Sequence, residues 1–174
     1  CGSASRMGNI PKFLLPLPNK ESLLKNHITN IHQKHKSIIV ITPDYANMVF
    51  NYLKKFFDKN KFEIIITETQ NMSETILSVQ FNPNKIYSII MPDTYFKDKN
   101  ILDKMIDIYK EDDCDIVLGV FKIREEQKGK LGQVLFDEDN NLINVIDKDK
   151  DCDYKWAWGT ILWNYKFIKF IDIQ

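Results

Sequence analysis

The chain has 174 residues, enough for one domain with a substantial core that buries roughly 70% of its unfolded surface. Its 24 Lys and Arg balance its 24 Asp and Glu, so no global field points to nucleic acid, anionic lipid or an acidic partner, and any anion binding has to be local. Cys1, Cys114 and Cys152 are odd in number and lack metal-ligand spacing, which argues against a disulfide framework or a zinc site and for a reducing, cytoplasmic setting; apolar runs such as SIIVI and DIVLGVF are far shorter than the roughly 20 residues of a membrane helix.

From Glu21 to about Gln33, the residues Leu23, Leu24, His27, Ile28 and Ile31 recur at helical spacing, and the strand SIIVIT follows. Pro43-Asp44 supplies a helix start. Tyr45, Met48, Val49, Tyr52, Leu53 and Phe56 form its apolar stripe, and FEIII is the next strand. A short helix from about Met72 to Gln80 precedes the strand KIYSIIM, and a helix from about Asn100 to Tyr109 precedes DIVLGVF. Beyond Phe121 the pattern changes: GQVLFDEDNNLINVID predicts a hairpin around an Asp-Asn turn, YKWAWGTILW a further strand, and NYKFIKFI the start of a helix.

Strands alternating with helices predict a single α/β domain over residues 1–174. Its fold class is a Rossmann-like three-layer α/β/α arrangement, with a mostly parallel sheet and antiparallel additions in the second half. Nothing precedes Cys1 to supply the usual first strand, and the last helix stops at Gln174, so a short apolar first strand and a C-terminal part are expected in the natural chain.

Ligands of such sheets bind at the carboxyl ends of the strands, where the loops gather. The opening CGSASRMGNIPKFLLPLP has the composition of a cloning linker, and equally of a phosphate loop. Gly2, Ser3, Ala4 and Ser5 would let backbone amides curl around an anion, Arg6 offers a fork of donors, and Lys12 follows Pro11 as a second cation. Asp93 follows the strand IYSIIM, a position that suits a magnesium ion taking one carboxylate and filling its shell with phosphate oxygens and water. His27, His32 and His35 lie on or just past the first helix, away from any strand end, and read as surface or core-edge residues.

GSASRMGNIPKFLLPL resembles the signature of the sugar-1-phosphate nucleotidyltransferases, the nucleotide-sugar pyrophosphorylases, written roughly G-G-x-G-[ST]-R-[LM] followed by P-K-x-L-L-P. QNMSETILSV is similar to that family's helix beside base and ribose, and MPDTYF to its metal-holding segment. LGQVLFDEDNNLINVIDKD resembles its Y-G-V to E-K-P stretch, and WAWGTILW its T-G-x-Y strand. The chain looks closest to a variant thymidylyltransferase-like branch.

The resemblance implies a GT-A-like nucleotidyltransferase fold and a reaction in which a sugar-1-phosphate oxygen attacks the α-phosphorus of an NTP (dTTP, UTP or CTP), giving an NDP-sugar and pyrophosphate with Mg²⁺ as cofactor. It implies catalytic roles for Arg6, Lys12 and Asp93, with Asp93 the metal ligand and Arg6 on the β and γ phosphates. Nucleotide contacts would come from Gly2, Ser3, Ala4, Ser5, Arg6, Thr67, Gln70 and Ser73. Gly132, Asp147, Lys148 and Gly159 would hold the sugar phosphate. A homo-oligomer is compatible with it, and neither nucleic acid nor a membrane is called for.

The chain departs from the pattern in three places: the base segment TETQNMSET lacks a glycine turn, Asp149 replaces the proline of E-K-P, and Trp158 precedes Gly159 in place of a small residue. Two other readings stay open. One is a non-catalytic nucleotide- or sugar-binding domain of the same fold. The other is a nucleotide-sugar-dependent glycosyltransferase using an Asp-x-Asp metal motif, for which Asp113-Cys114-Asp115, Asp147-Lys148-Asp149 and Asp151-Cys152-Asp153 are the strings available.

Overall fold

The computed structural model describes residues 11–30 and 35–171. Helix α1 (Leu23–Asn30) leads to β1 (Ser37–Ile41), α2 (Pro43–Leu53), β2 (Phe62–Ile66), α3 (Met72–Leu77) and β3 (Ile86–Ile90). Then come α4 (Ile101–Glu111), β4 (Ile116–Lys122), the hairpin β5 (Gly132–Phe136) and β6 (Leu142–Asp147), the long strand β7 (Trp156–Asn164) and α5 (Tyr165–Ile171). Every element expected from periodicity is present, within a few residues of its expected bounds.

The first α/β unit is a parallel pair. β1 and β2 run in register from Ser37 opposite Phe62 to Ile41 opposite Ile66, joined through α2, whose Pro43 sits at the start where its missing N–H costs nothing. Leu24 and Ile28 of α1 and Ala46, Val49 and Leu53 of α2 close over Ile41 and Phe62 to make its core.

The remaining strands form a five-stranded sheet whose middle is the last strand in sequence. β7 lies antiparallel to β3 along one side and to β4 along the other, so β3 and β4 point the same way with β7 between them. The strands joined through α4 therefore keep the common direction expected of a β-α-β connection, while their hydrogen bonds run through an antiparallel neighbour. β5 continues the β3 side of β7 through Gln133 opposite Ala157 and Val134 opposite Trp156, and β6 pairs with β5 at the edge. The hairpin turns at Asn140, whose φ of 65° is left-handed, and the Asp137 carboxylate caps it by accepting from the amides of Asp139 and Asn141.

Successive side chains of β7 point to opposite faces and define the layers. Leu162 packs with Met105 of α4 and Val117 of β4. Trp163 faces the other way, among Phe81, Tyr87 and Phe167 of α5. This is the expected three-layer sandwich. His27 is buried on α1 at the junction of the two units, with its ring against Phe96. No helix among the described residues is long and apolar enough to cross a membrane.

Candidate active site

Lys12 begins a single 3-10 turn, Lys12–Leu14, that follows Pro11. The neighbouring Phe13 meets the Tyr45 ring edge-on at 6.5 Å and, with Leu14, packs on the core of the first unit. The backbone under Lys12 is thus held by apolar contacts while its side chain stays in solvent. Asp93 sits in the turn just past β3, closed by the Thr94 amide donating to Met91 O at 3.1 Å. The fold brings these residues together across 81 positions: Lys12 Nζ donates to Asp93 Oδ2 at 3.0 Å.

The sheet continues the site from there. β7 carries one extra residue at Gly159, since Gly119 stands opposite Thr160 while Val120 stands opposite Trp158. Bulges of this kind re-aim neighbouring side chains. A Cβ on Gly159 would come to 3.2 Å from the Phe121 ring and 3.7 Å from Thr94 Cγ2, so the turn holding Asp93 leans on the bulge. Next to it, the Trp158 indole covers Gly132, where a Cβ would collide with the ring. Gly132 in turn lies opposite Asp147 in the hairpin. Lys12, Asp93, Gly159, Gly132, Asp147 and Lys148 therefore form one line of neighbouring residues and contacts.

The resemblance puts Gly132 among the residues that would hold the sugar phosphate; in the structure the Trp158 indole covers it. Lys148 adopts a left-handed φ of 52°, its amide donates to Leu131 O at 3.1 Å, and its ammonium lies 3.3 Å from Asp147 Oδ2. A lysine in that region of backbone space is uncommon and signals a constrained position.

Thr67, Gln70 and Ser73 lie on the loop from β2 into α3 and at the first turn of that helix, and no hydrogen bond or ion pair joins them to the line above among the described residues. Their loop is shaped by a cap. The Asn71 side chain accepts from the Glu74 amide at 2.9 Å, and Glu74 Oε2 accepts from the Gln70 amide at 2.7 Å. The cap is one-sided, because the Glu74 carboxylate reaches the backbone amide of Gln70 rather than that of Asn71. Gly2, Ser3, Ala4, Ser5 and Arg6 lie outside the described residues, as does His32.

Of the Asp-x-Asp strings, Asp113 to Asp115 leads into the amino end of β4, the opposite end of the sheet from Asp93. Asp115 is occupied there: the Asn164 amide and then the Lys166 ammonium hold its carboxyl below the usual range.

Among the described residues, no three or more His, Cys, Asp or Glu side chains gather into a metal-ligand set. The donor set nevertheless suits magnesium shared with a ligand's phosphates, which needs only one or two carboxylates, and the Lys12 ammonium already stands as a cation at Asp93 Oδ2.

Residues 1–138 match the family model described as MobA-like NTP transferase domain. The chain belongs to that family. Nucleotidyl transfer is accordingly its role at the level the family defines. The fold of this NTP transferase domain is also that of a UDP-glucose pyrophosphorylase solved with UDP-glucose, at a TM-score of 0.80 and 14% identity over 99% of this chain and 76% of the other. It matches HddC from Yersinia pseudotuberculosis at a TM-score of 0.68 and 17% identity, over 92% and 70%. No curated protein matches the sequence.

Proposed function

We propose that this NTP transferase domain joins a nucleotidyl group to a sugar-1-phosphate. An oxygen of the sugar phosphate attacks the α-phosphorus of an NTP, the bond from that phosphorus to the bridging oxygen of the β-phosphate breaks, and pyrophosphate leaves with the electron pair. The observation that carries this reading is the 3.0 Å approach of Lys12 to Asp93 at the carboxyl end of β3, continuous with the bulge and the hairpin. Support comes also from the fold shared with a pyrophosphorylase that was solved with UDP-glucose.

Phosphoryl-type transfer asks a protein for positioning and for neutralising charge. Lys12 would lie along the α-phosphate and meet charge as it develops there. Arg6 and the amides of residues 2–5 would hold the remaining phosphates. Mg²⁺ at Asp93 would supply charge neutralisation on the phosphate oxygens. Thr67, Gln70 and Ser73 would face base and ribose. Asp147 would accept from sugar hydroxyls and Lys148 would pair with the sugar phosphate, with the Trp158 indole, which covers Gly132, as the wall the sugar meets.

The test is Mg²⁺-dependent pyrophosphate release from a panel of dTTP, UTP, CTP, ATP and GTP, each offered with several sugar-1-phosphates. Release with at least one pair supports the proposal. Nucleotide binding without turnover across the whole panel would overturn it in favour of a binding domain.

A further inference from the structure

We propose that Lys12 is a resident cation at Asp93: without nucleotide its ammonium occupies the cation position, and an arriving triphosphate draws Lys12 onto its own oxygens and so opens Asp93 to a divalent ion. This rests on the nucleotidyl-transfer reading above and adds a binding order to it. Nucleotide and metal then bind cooperatively, because each favours the arrangement in which Lys12 has left Asp93.

The geometry has the properties such an exchange needs. Among the described residues, Lys12 is the ion-pair partner of Asp93 and makes no second one. The side chains are 56% and 45% exposed, and a pair open to water to that degree is weakly held, so giving it up costs little. The movement is confined to a flexible four-carbon stem, since Phe13 and Leu14 pin the backbone beside it. A divalent ion and an ammonium cannot share Oδ2 without strong like-charge repulsion, which makes the two occupants exclusive. A triphosphate offers Lys12 several charged oxygens against the one carboxylate it leaves.

The experiment measures Mn²⁺ binding without nucleotide, by water-proton relaxation, for the wild-type chain, Lys12→Met, Lys12→Gln and the double variant Lys12→Met/Asp93→Asn. Removing the ammonium should tighten Mn²⁺ binding about fivefold in both single variants, and Asp93→Asn should abolish the gain. Equal or weaker Mn²⁺ binding in Lys12→Met and Lys12→Gln would overturn the exchange, as would a gain that survives Asp93→Asn. Pyrophosphate release by the wild-type chain is assayed in parallel. Turnover with unchanged Mn²⁺ affinity rejects the exchange alone, whereas absent turnover rejects the assigned reaction, and the Mn²⁺ comparison still judges the Lys12 and Asp93 pair.

Discussion

The Trp158 indole lies across the α-carbon of Gly132, in the space a side chain at that position would fill. Neither residue explains itself in isolation. The glycine is required by the ring, and the ring, half-buried beside the bulge at Gly159, turns the floor of the proposed sugar site into an aromatic surface. Gly132→Ala should therefore destabilise the fold by about 1–3 kcal/mol through overpacking, read as a lower urea midpoint. The cost should shrink in a Trp158→Val background, because the two changes act on one contact.

Lys12→Ala separates chemistry from folding. The side chain is largely in solvent and its ion pair is exposed, so the change in stability should stay within about 1 kcal/mol. Turnover should fall about 10²-fold or more if the ammonium meets charge developing at the α-phosphate. Wild-type turnover in the variant would remove Lys12 from the catalytic group.

Lys148 combines an uncommon backbone with a proposed contact. Lys148→Gly suits the left-handed conformation and should leave stability within about 1 kcal/mol of wild type, since relief of strain offsets the added freedom of the unfolded chain. Loss of the charge should raise KM for the sugar phosphate about tenfold. Lys148→Ala loses the same charge without the relief. Matching KM values in the two variants, together with a lower melting temperature for the alanine form, is the expected pattern.

His27 gives stability a slope near neutral pH. Its ring is buried against Phe96, its Nε2 has no hydrogen-bond partner among the described residues, and it borders a cavity of about 20 Å³ shared with Asn30, Ile90, Asp98 and Lys99. Asp98 is engaged by Lys104 at 2.6 Å. Burial holds the His27 pKa below its ordinary value of 6.5. The unfolded chain therefore takes up a proton first as pH falls, and stability that is fully present above about 6.5 declines below it. Unfolding midpoints measured between pH 7.5 and 5.5 should drop in the wild-type chain and drop less in His27→Leu. Identical slopes would mean that His27 takes up its proton equally in the folded and unfolded states.

The sequence carried the local structure well because each element announced itself nearby. The stripe through Tyr45, Val49, Tyr52 and Leu53 is α2, and the run from Ile86 to Ile90 is β3. What it could not display is which strand lies beside which. Residues 156–164 read as a strand, but nothing in their periodicity says that they enter between β3 and β4, because pairing order is decided by contacts distant in sequence. The bulge at Gly159 and the fit of Trp158 on Gly132 were hidden for the same reason. His27 read as a surface or core-edge residue, and its burial against Phe96 followed only from the loop after β3. At the site, the nearness of Lys12 to Asp93 is also a product of long-range topology; both residues came forward as candidates through a family resemblance, and the Asn71 cap was not read from the sequence.

The placement of β7 also has a consequence for how the molecule is made. β3 and β4 hydrogen-bond to a strand that ends at Asn164, so a nascent or refolding chain must hold both without this partner until the residues up to Asn164 are available. Pairings of such separation are slow to form, and unpaired edges invite association with other chains. The parallel β1 and β2 unit, complete by Ile66, can assemble well before them. Assembly in two stages, with the turn that holds Asp93 gaining its support at Gly159 only in the second, is the kinetic signature this topology predicts.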